Sequence, residues 1–127
     1  IIYKEKLNIN LNEANYSSLV ISVDSIEKNN IDLWATITND IEVSKILLTY
    51  SERKEVINNI YSKLIENEYK VLNIKFEKIN DINSFYRFLI EITPRLREAG
   101  IKTVVTYNDV MNEDKVLKIV DYLVKEE

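Results

Sequence analysis

Segments with an apolar period of two alternate along this chain with segments whose apolar period is three to four, and that ordering constrains the fold more than any single motif. Residues 1–9, IIYKEKLNI, place Ile1, Tyr3, Leu7 and Ile9 on one face of a strand, with Glu5 as the charged interruption. Residues 10–16 are mostly polar and read as a loop. The next stretch, SSLVISVDSIEKNN, carries two signals. Its β-branched run favours a strand. Leu19, Val20, Val23 and Ile26 also share a helical face behind a Ser17 or Ser18 cap, and a helix is the expectation. Residues 31–38, IDLWATIT, form a short apolar strand, followed by a connection with a short helix within 41–48.

Thr49 and Glu52 fit a capping box. The helix behind it carries the stripe Val56, Ile57, Ile60, Tyr61, Leu64 and Ile65 and ends at Asn67. Residues 69–76, YKVLNIKF, alternate: Val71, Asn73, Lys75 and Glu77 share one face, and Leu72, Ile74 and Phe76 the other. A second helix over 83–99 buries Phe85, Phe88, Leu89, Ile92 and Leu96; Pro94 should kink it, and Gly100 supplies a left-handed stop. Residues 101–106 are another strand. Asn112 caps a last helix with Val116, Ile119, Val120 and Leu123 on one face. The expectation is one α/β domain over 1–127, ordered β-α-β-α-β-α-β-α, with a parallel sheet of about four strands and right-handed crossovers. Such a sheet is either open or part of something larger, since a closed barrel of this type takes eight strands.

Composition removes whole classes of chemistry. The chain has no cysteine and no histidine, so disulfides, thiolate nucleophiles and imidazole bases are absent. A single glycine excludes a glycine-rich phosphate loop. A net charge of −4 argues against a nucleic-acid partner. No apolar run approaches the roughly 18 residues of a membrane span, so no membrane partner is expected. Asp109, Glu113 and Asp114 lack calcium-loop spacing, and neither metal nor cofactor is expected. Trp34 reads as core. Arg87, Arg95 and Arg97, near Glu91 and Glu98, read as surface ion pairs of small value.

In parallel α/β folds, active groups gather at the carboxyl ends of the strands. Here those ends carry Thr38, Asn39 and Asp40; then Asn73, Lys75, Glu77 and Lys78; then Thr106, Tyr107, Asn108 and Asp109. Carboxylates, amides and a tyrosine suit a polyhydroxylated ligand such as a sugar, with Asn39, Asn73, Tyr107 and Asn108 as candidate ligand-binding residues. Strand ends that merely meet water would look similar. Glu77 is the candidate catalytic residue. Three polar residues on one face of a strand are costly to bury without partners. A barrel interior or ligand cleft would explain them, as would a Lys75–Glu77 ion pair.

Four stretches carry a family resemblance: NNIDLWATITND, RKEVINNIYSKL, YKVLNIKFEKI and SFYRFLIEITPRLREAGIKTVVTYND. Together, over about residues 28–109 and roughly two-thirds of the chain, they resemble glycoside hydrolase family 18, in its bacterial chitinase-like, spore- and cell-wall-associated branch. They match the third strand and its helix, the fourth strand, and the fourth helix with the fifth strand of that family's TIM (β/α)8 barrel. The family's fourth strand carries D-x-x-D-x-D-x-E. Its Glu is the general acid, and the Asp two residues earlier orients the substrate's N-acetyl group, whose oxygen is the nucleophile. The resemblance places the acid on Glu77, the helper on Lys75, the middle position on Asn73 and the first on Lys70, with Val71 where a glycine is usual.

The resemblance thus implies a kept acid and a helper reversed in charge. A general acid must hold its proton, while a nearby ammonium favours the ionised carboxylate. An ammonium also has no lone pair for the amide hydrogen, and it opposes the positive charge that grows on the sugar. The expected reading is a degenerate glycosidase-like domain without family-type hydrolysis, binding an N-acetylglucosamine-containing glycan or a protein at the cell wall or spore. The alternatives are an active hydrolase, with Glu77 as acid and another group replacing the Asp, and a structural domain that dimerises. The family barrel takes about 250 residues. The match starts near its second strand and stops around the fifth helix or sixth strand. Ile1 is no initiator methionine and no signal-like segment follows it, so the chain reads as a fragment or mature piece, or as a reduced domain that covers its sheet edges with another copy or another chain. KIVDYLVKEE resembles the start of the sixth strand, but its periodicity predicts the end of a helix.

Overall fold

The computed structural model describes residues 6–10, 18–23 and 34–126. Its elements are β1 (Lys6–Asn10), β2 (Ser18–Val23), β3 (Trp34–Asn39), α1 (Val43–Ile46), α2 (Tyr50–Glu66), β4 (Val71–Ile74), α3 (Ile82–Glu98), β5 (Lys102–Thr106), α4 (Glu113–Leu117) and β6 (Tyr122–Val124). The strands form one sheet in chain order. β1, β2 and β3 pair antiparallel, and β3, β4, β5 and β6 pair parallel. The architecture is therefore the expected α/β fold with a four-stranded parallel sheet. Its fourth strand is β6 rather than the segment at residues 1–9.

Strand order equal to chain order decides where the helices go. Crossovers of one hand, joining each parallel strand to its immediate neighbour, put every connecting helix on the same face. This is the winding of part of a (β/α)8 barrel, not of a doubly wound sheet, whose order reverses. The core forms where the helices meet that face: Ala35, Ile37, Leu72, Ile74, Phe76 and Val105 from the strands pack with Ile60, Leu64, Phe85, Phe88, Leu89, Ile92 and Leu96. Phe76 lies 5.7 Å from Phe85 and 5.8 Å from Phe88, ring centre to ring centre.

Local signals account for the long helices. Thr49 Oγ1 accepts the Glu52 N–H while Glu52 accepts the Thr49 N–H, closing the capping box. Asp81 caps α3 by accepting the Ser84 N–H at 3.1 Å, and α3 runs through Pro94 as one element. Gly100 stops the chain at φ +76°. A Cβ there would meet nothing within 4 Å, so the requirement for glycine lies in the backbone alone.

One expected helix is a strand, and another gives way to a strand in its second half. Residues 18–23 form β2, whose register with β3 runs from Leu19 opposite Asn39 to Val23 opposite Ala35. A β-branched run between two neighbours satisfies its backbone on both edges, and this outweighs a short helical stripe; Ile26 lies outside the described residues. β1 overlaps the strand expected at 1–9 but pairs antiparallel with β2, and residues 1–5 lie outside the described set. The last predicted helix shortens to α4, and the chain then turns into β6. Asp121 makes that turn: its N–H donates to the Thr103 carbonyl at 3.0 Å, and its carboxylate accepts the Thr103 N–H and an Arg97 N–H, each at 2.8 Å. Burial pushes the Asp121 carboxyl up, but the Thr103 N–H and the Arg97 guanidinium outweigh it and hold it below the usual value. The sixth-strand resemblance was the better guide here.

The arginine reading also changes. Glu91 pairs with Arg53, which is 4% exposed. Arg53 Nε donates to both Glu91 carboxylate oxygens at 2.8 and 3.0 Å, and its Nη1 donates to the Leu47 and Leu48 carbonyls at 3.2 and 3.1 Å. One guanidinium thus ties the end of α1 to α2 and α3. Arg95 bonds Asn58 and lies over the Tyr61 ring. Trp34, expected in the core, is 36% exposed. No described helix is long and apolar enough to cross a membrane.

Glu91→Ala leaves the Arg53 charge buried with carbonyl partners only. It should cost about 2–4 kcal/mol of stability, read as a shifted urea midpoint, and Arg53→Met combined with Glu91→Leu should recover most of that loss.

Candidate functional site

The carboxyl ends of β4, β5 and β6 enclose a cleft of about 110 Å³ lined by Lys75, Phe76, Glu77, Thr106, Tyr107, Asn108 and Glu126. Strand alternation builds it. Beyond β4, Phe76 turns into the core while Lys75 and Glu77 stay on the helix-free face. Asn73 lies one step deeper on that face, where its Oδ1 accepts the Thr106 hydroxyl at 2.9 Å. This bond joins β4 to β5 beneath the cleft.

Of the residues predicted from sequence, Glu77, Tyr107 and Asn108 converge here. The Glu77 carboxylate is exposed and takes no hydrogen bond from a described residue. The half-buried Tyr107 anchors its N–H on the Val124 carbonyl at 2.7 Å, and its ring lies 5.1 Å from the Lys125 ammonium. Asn108 Oδ1 accepts the Val110 N–H at 3.2 Å, while its Nδ2 sits at 3.4 and 3.5 Å from the Glu77 and Phe76 carbonyls. Those are long contacts, so the amide retains donor capacity for a ligand.

Asn39 has a different place. It is 8% exposed and lies at the end of β3. Its Nδ2 donates to the Ile41 and Lys78 carbonyls at 2.9 and 3.1 Å, and its Oδ1 accepts the Glu77 N–H at 3.0 Å. Asn39 is thus a clasp that holds the segment carrying Glu77. Lys70 is exposed at the opposite end of β4, where its carbonyl accepts the Lys102 N–H at 3.0 Å.

The Lys75 ammonium lies 2.7 Å from Glu126 Oε1, so the ion pair at the sheet end reaches to β6 and beyond. Sequence reasoning missed Glu126. Alternation from Val124 would have placed it on the cleft face, but reading that stretch as a helix hid the period of two. A larger hollow of about 430 Å³ lies toward the amino ends of the strands, lined by Trp34, Val71, Lys102, Val104, Tyr122, Leu123 and Val124. It is mostly apolar and holds no carboxylate. Among the described residues, no three acidic side chains gather as a metal site.

No family model matches the chain, and no curated protein matches it. Solved structures do. The proposed sporulation-specific glycosylase ydhD of Bacillus subtilis superposes with a TM-score of 0.69 at 20% identity, over 98% of this chain and 56% of that one. The spore cortex-lytic enzyme SleL of Bacillus cereus gives 0.64 at 23% identity, over 72% of this chain and 25% of that one. SleL of Bacillus megaterium QM B1551 gives 0.59 at 17% identity, over 65% and 22%. The likeness is one of fold. The chain spans at most just over half the length of these proteins.

Asn39→Asp keeps the acceptor for Glu77 but turns a carboxylate toward the Ile41 and Lys78 carbonyls. A loss of about 1–3 kcal/mol is expected, with the Glu77 and Lys78 amide resonances displaced in a 15N–1H spectrum.

Proposed function

We propose that this chain is a glycan-binding domain of glycosidase-like fold that does not perform the hydrolysis of the family it resembles. One observation carries the reading: Lys75 lines the same cleft as Glu77, and the family resemblance assigns Lys75 the position where a substrate-assisted mechanism needs an acceptor carboxylate. Such a mechanism needs a group that takes the N-acetyl N–H and steadies a cation. An ammonium does neither. The exposed Glu77 carboxylate, the loosely held Asn108 amide and Tyr107 remain suited to sugar hydroxyls. The cortex-lytic and sporulation functions named for the fold neighbours support an N-acetylglucosamine-containing glycan of the spore or cell wall as the partner.

Glu126 favours a second reading, an active hydrolase with Glu77 as the acid. A carboxylate does enter the cleft, and it could stand in for the missing Asp. Its ion pair with Lys75 argues against that, because the same oxygen is already engaged.

Incubation with chitin oligosaccharides and with peptidoglycan should give binding without new reducing ends. Turnover abolished by Glu77→Gln would overturn the proposal in favour of the second reading. Lys75→Asp combined with Val71→Gly should create turnover if the motif alone was lost. Among the described residues β6 has no strand beside it other than β5, which supports pairing with a second copy or with further (β/α) units; light scattering should report a mass above that of one chain, and a clean monomer would remove the self-pairing.

A further inference from the structure

The Lys75–Glu126 pair has the form of a recognition contact already filled. Lys75 is one-third exposed and Glu126 more than half. An ion pair this wet adds little stability and exchanges readily for another carboxylate. Glu126 arrives from two residues beyond Val124, on the strand face shared with Lys75, and forms part of the cleft wall. Its carboxylate therefore occupies the position that a ligand carboxylate would take.

We propose that this cleft recognises a carboxylate-bearing sugar, with Glu126 as an intramolecular occupant that such a ligand displaces. The inference rests on the glycan-binding reading and adds the chemistry of the glycan. The cleft offers two unlike demands. The Lys75 ammonium donates and attracts an anion, whereas the Glu77 carboxylate accepts only and requires a hydroxyl or amide N–H. A neutral N-acetylglucosamine chain meets the second demand alone. A small free anion meets the first alone, and it must also approach Glu77, Glu126 and a chain of net charge −4. An acidic sugar meets both. The cleft is only about 110 Å³, so the space beside Lys75 that a displaced Glu126 vacates suits a carboxylate substituent rather than a whole ring, leaving the ring at the mouth beside Tyr107 and Asn108.

The test is an NMR titration of the full chain, followed at the Glu77, Tyr107 and Asn108 amides, with N-acetylmuramic acid and N-acetylglucosamine as probes. These differ by one lactyl carboxylate. Glu126→Gln removes the occupant and should tighten binding of the acidic sugar by about three- to fivefold, with the neutral sugar unchanged. Lys75→Met should remove the preference for the acidic sugar. Both side chains are partly exposed, and a thermal melt confirms that each variant is folded. Equal tightening for both sugars in Glu126→Gln, or a preference that survives Lys75→Met, overturns the inference and leaves glycan binding standing. Absence of binding by either sugar to every variant overturns glycan binding itself, and the inference with it.

Discussion

Each strand of the parallel sheet lies beside the strand that precedes it in the chain, and much of the architecture follows from that constraint. Because the winding never reverses, the connecting helices share one face, and the apolar mass of the domain collects there around Phe76, Phe85 and Phe88. The opposite face is released from the core. β4 can then alternate core residues with Asn73, Lys75 and Glu77 without burying an unpaired charge. The Asn73–Thr106 bond and the Asn39 clasp hold this face in register at the end where the candidate site residues stand.

Elements whose stability is local could be read directly from the residues. α2 announces itself by the Thr49–Glu52 box and α3 by its apolar stripe, and β3, β4 and β5 by short apolar or alternating runs closed by polar residues or by Gly100. The failures fall where a neighbouring edge decides. β2 is a strand because β1 and β3 flank it, and β6 because the free side of β5 needs partners and Asp121 pins the turn. A helical period was present in both stretches, but a local period carries no information about a distant ladder. The site divides in the same way. Glu77, Tyr107 and Asn108 follow strands that were identified, so their convergence could be anticipated. Asn39 looked like a ligand residue because it is polar at a strand end, and nothing local shows that both ends of its amide are taken up by the distant Glu77–Lys78 segment after β4. Glu126 was hidden behind the misread β6.

The fold neighbours, at 17–23% identity, share architecture with this chain over a minor or middling share of their own length. The cleft of this chain is defined by a few side chains. Lys75 lines the cleft together with Glu77, and Glu126 from beyond β6 pairs with Lys75. Lys75 and Glu126 make a charged pair at the position to which the family resemblance assigns an acidic helper.

The only tryptophan in the chain sits at the first position of β3, against the apolar hollow and four residues of strand, about 13 Å, from the level of the cleft. Its indole is partly wet, so its emission is sensitive to whatever lies over that end of the sheet. A sugar seated by Glu77 would leave the fluorescence nearly still, whereas a second copy or additional strands closing over the hollow would shift it to the blue. The molecule thus carries an optical probe that separates occupancy at one end of its sheet from coverage at the other.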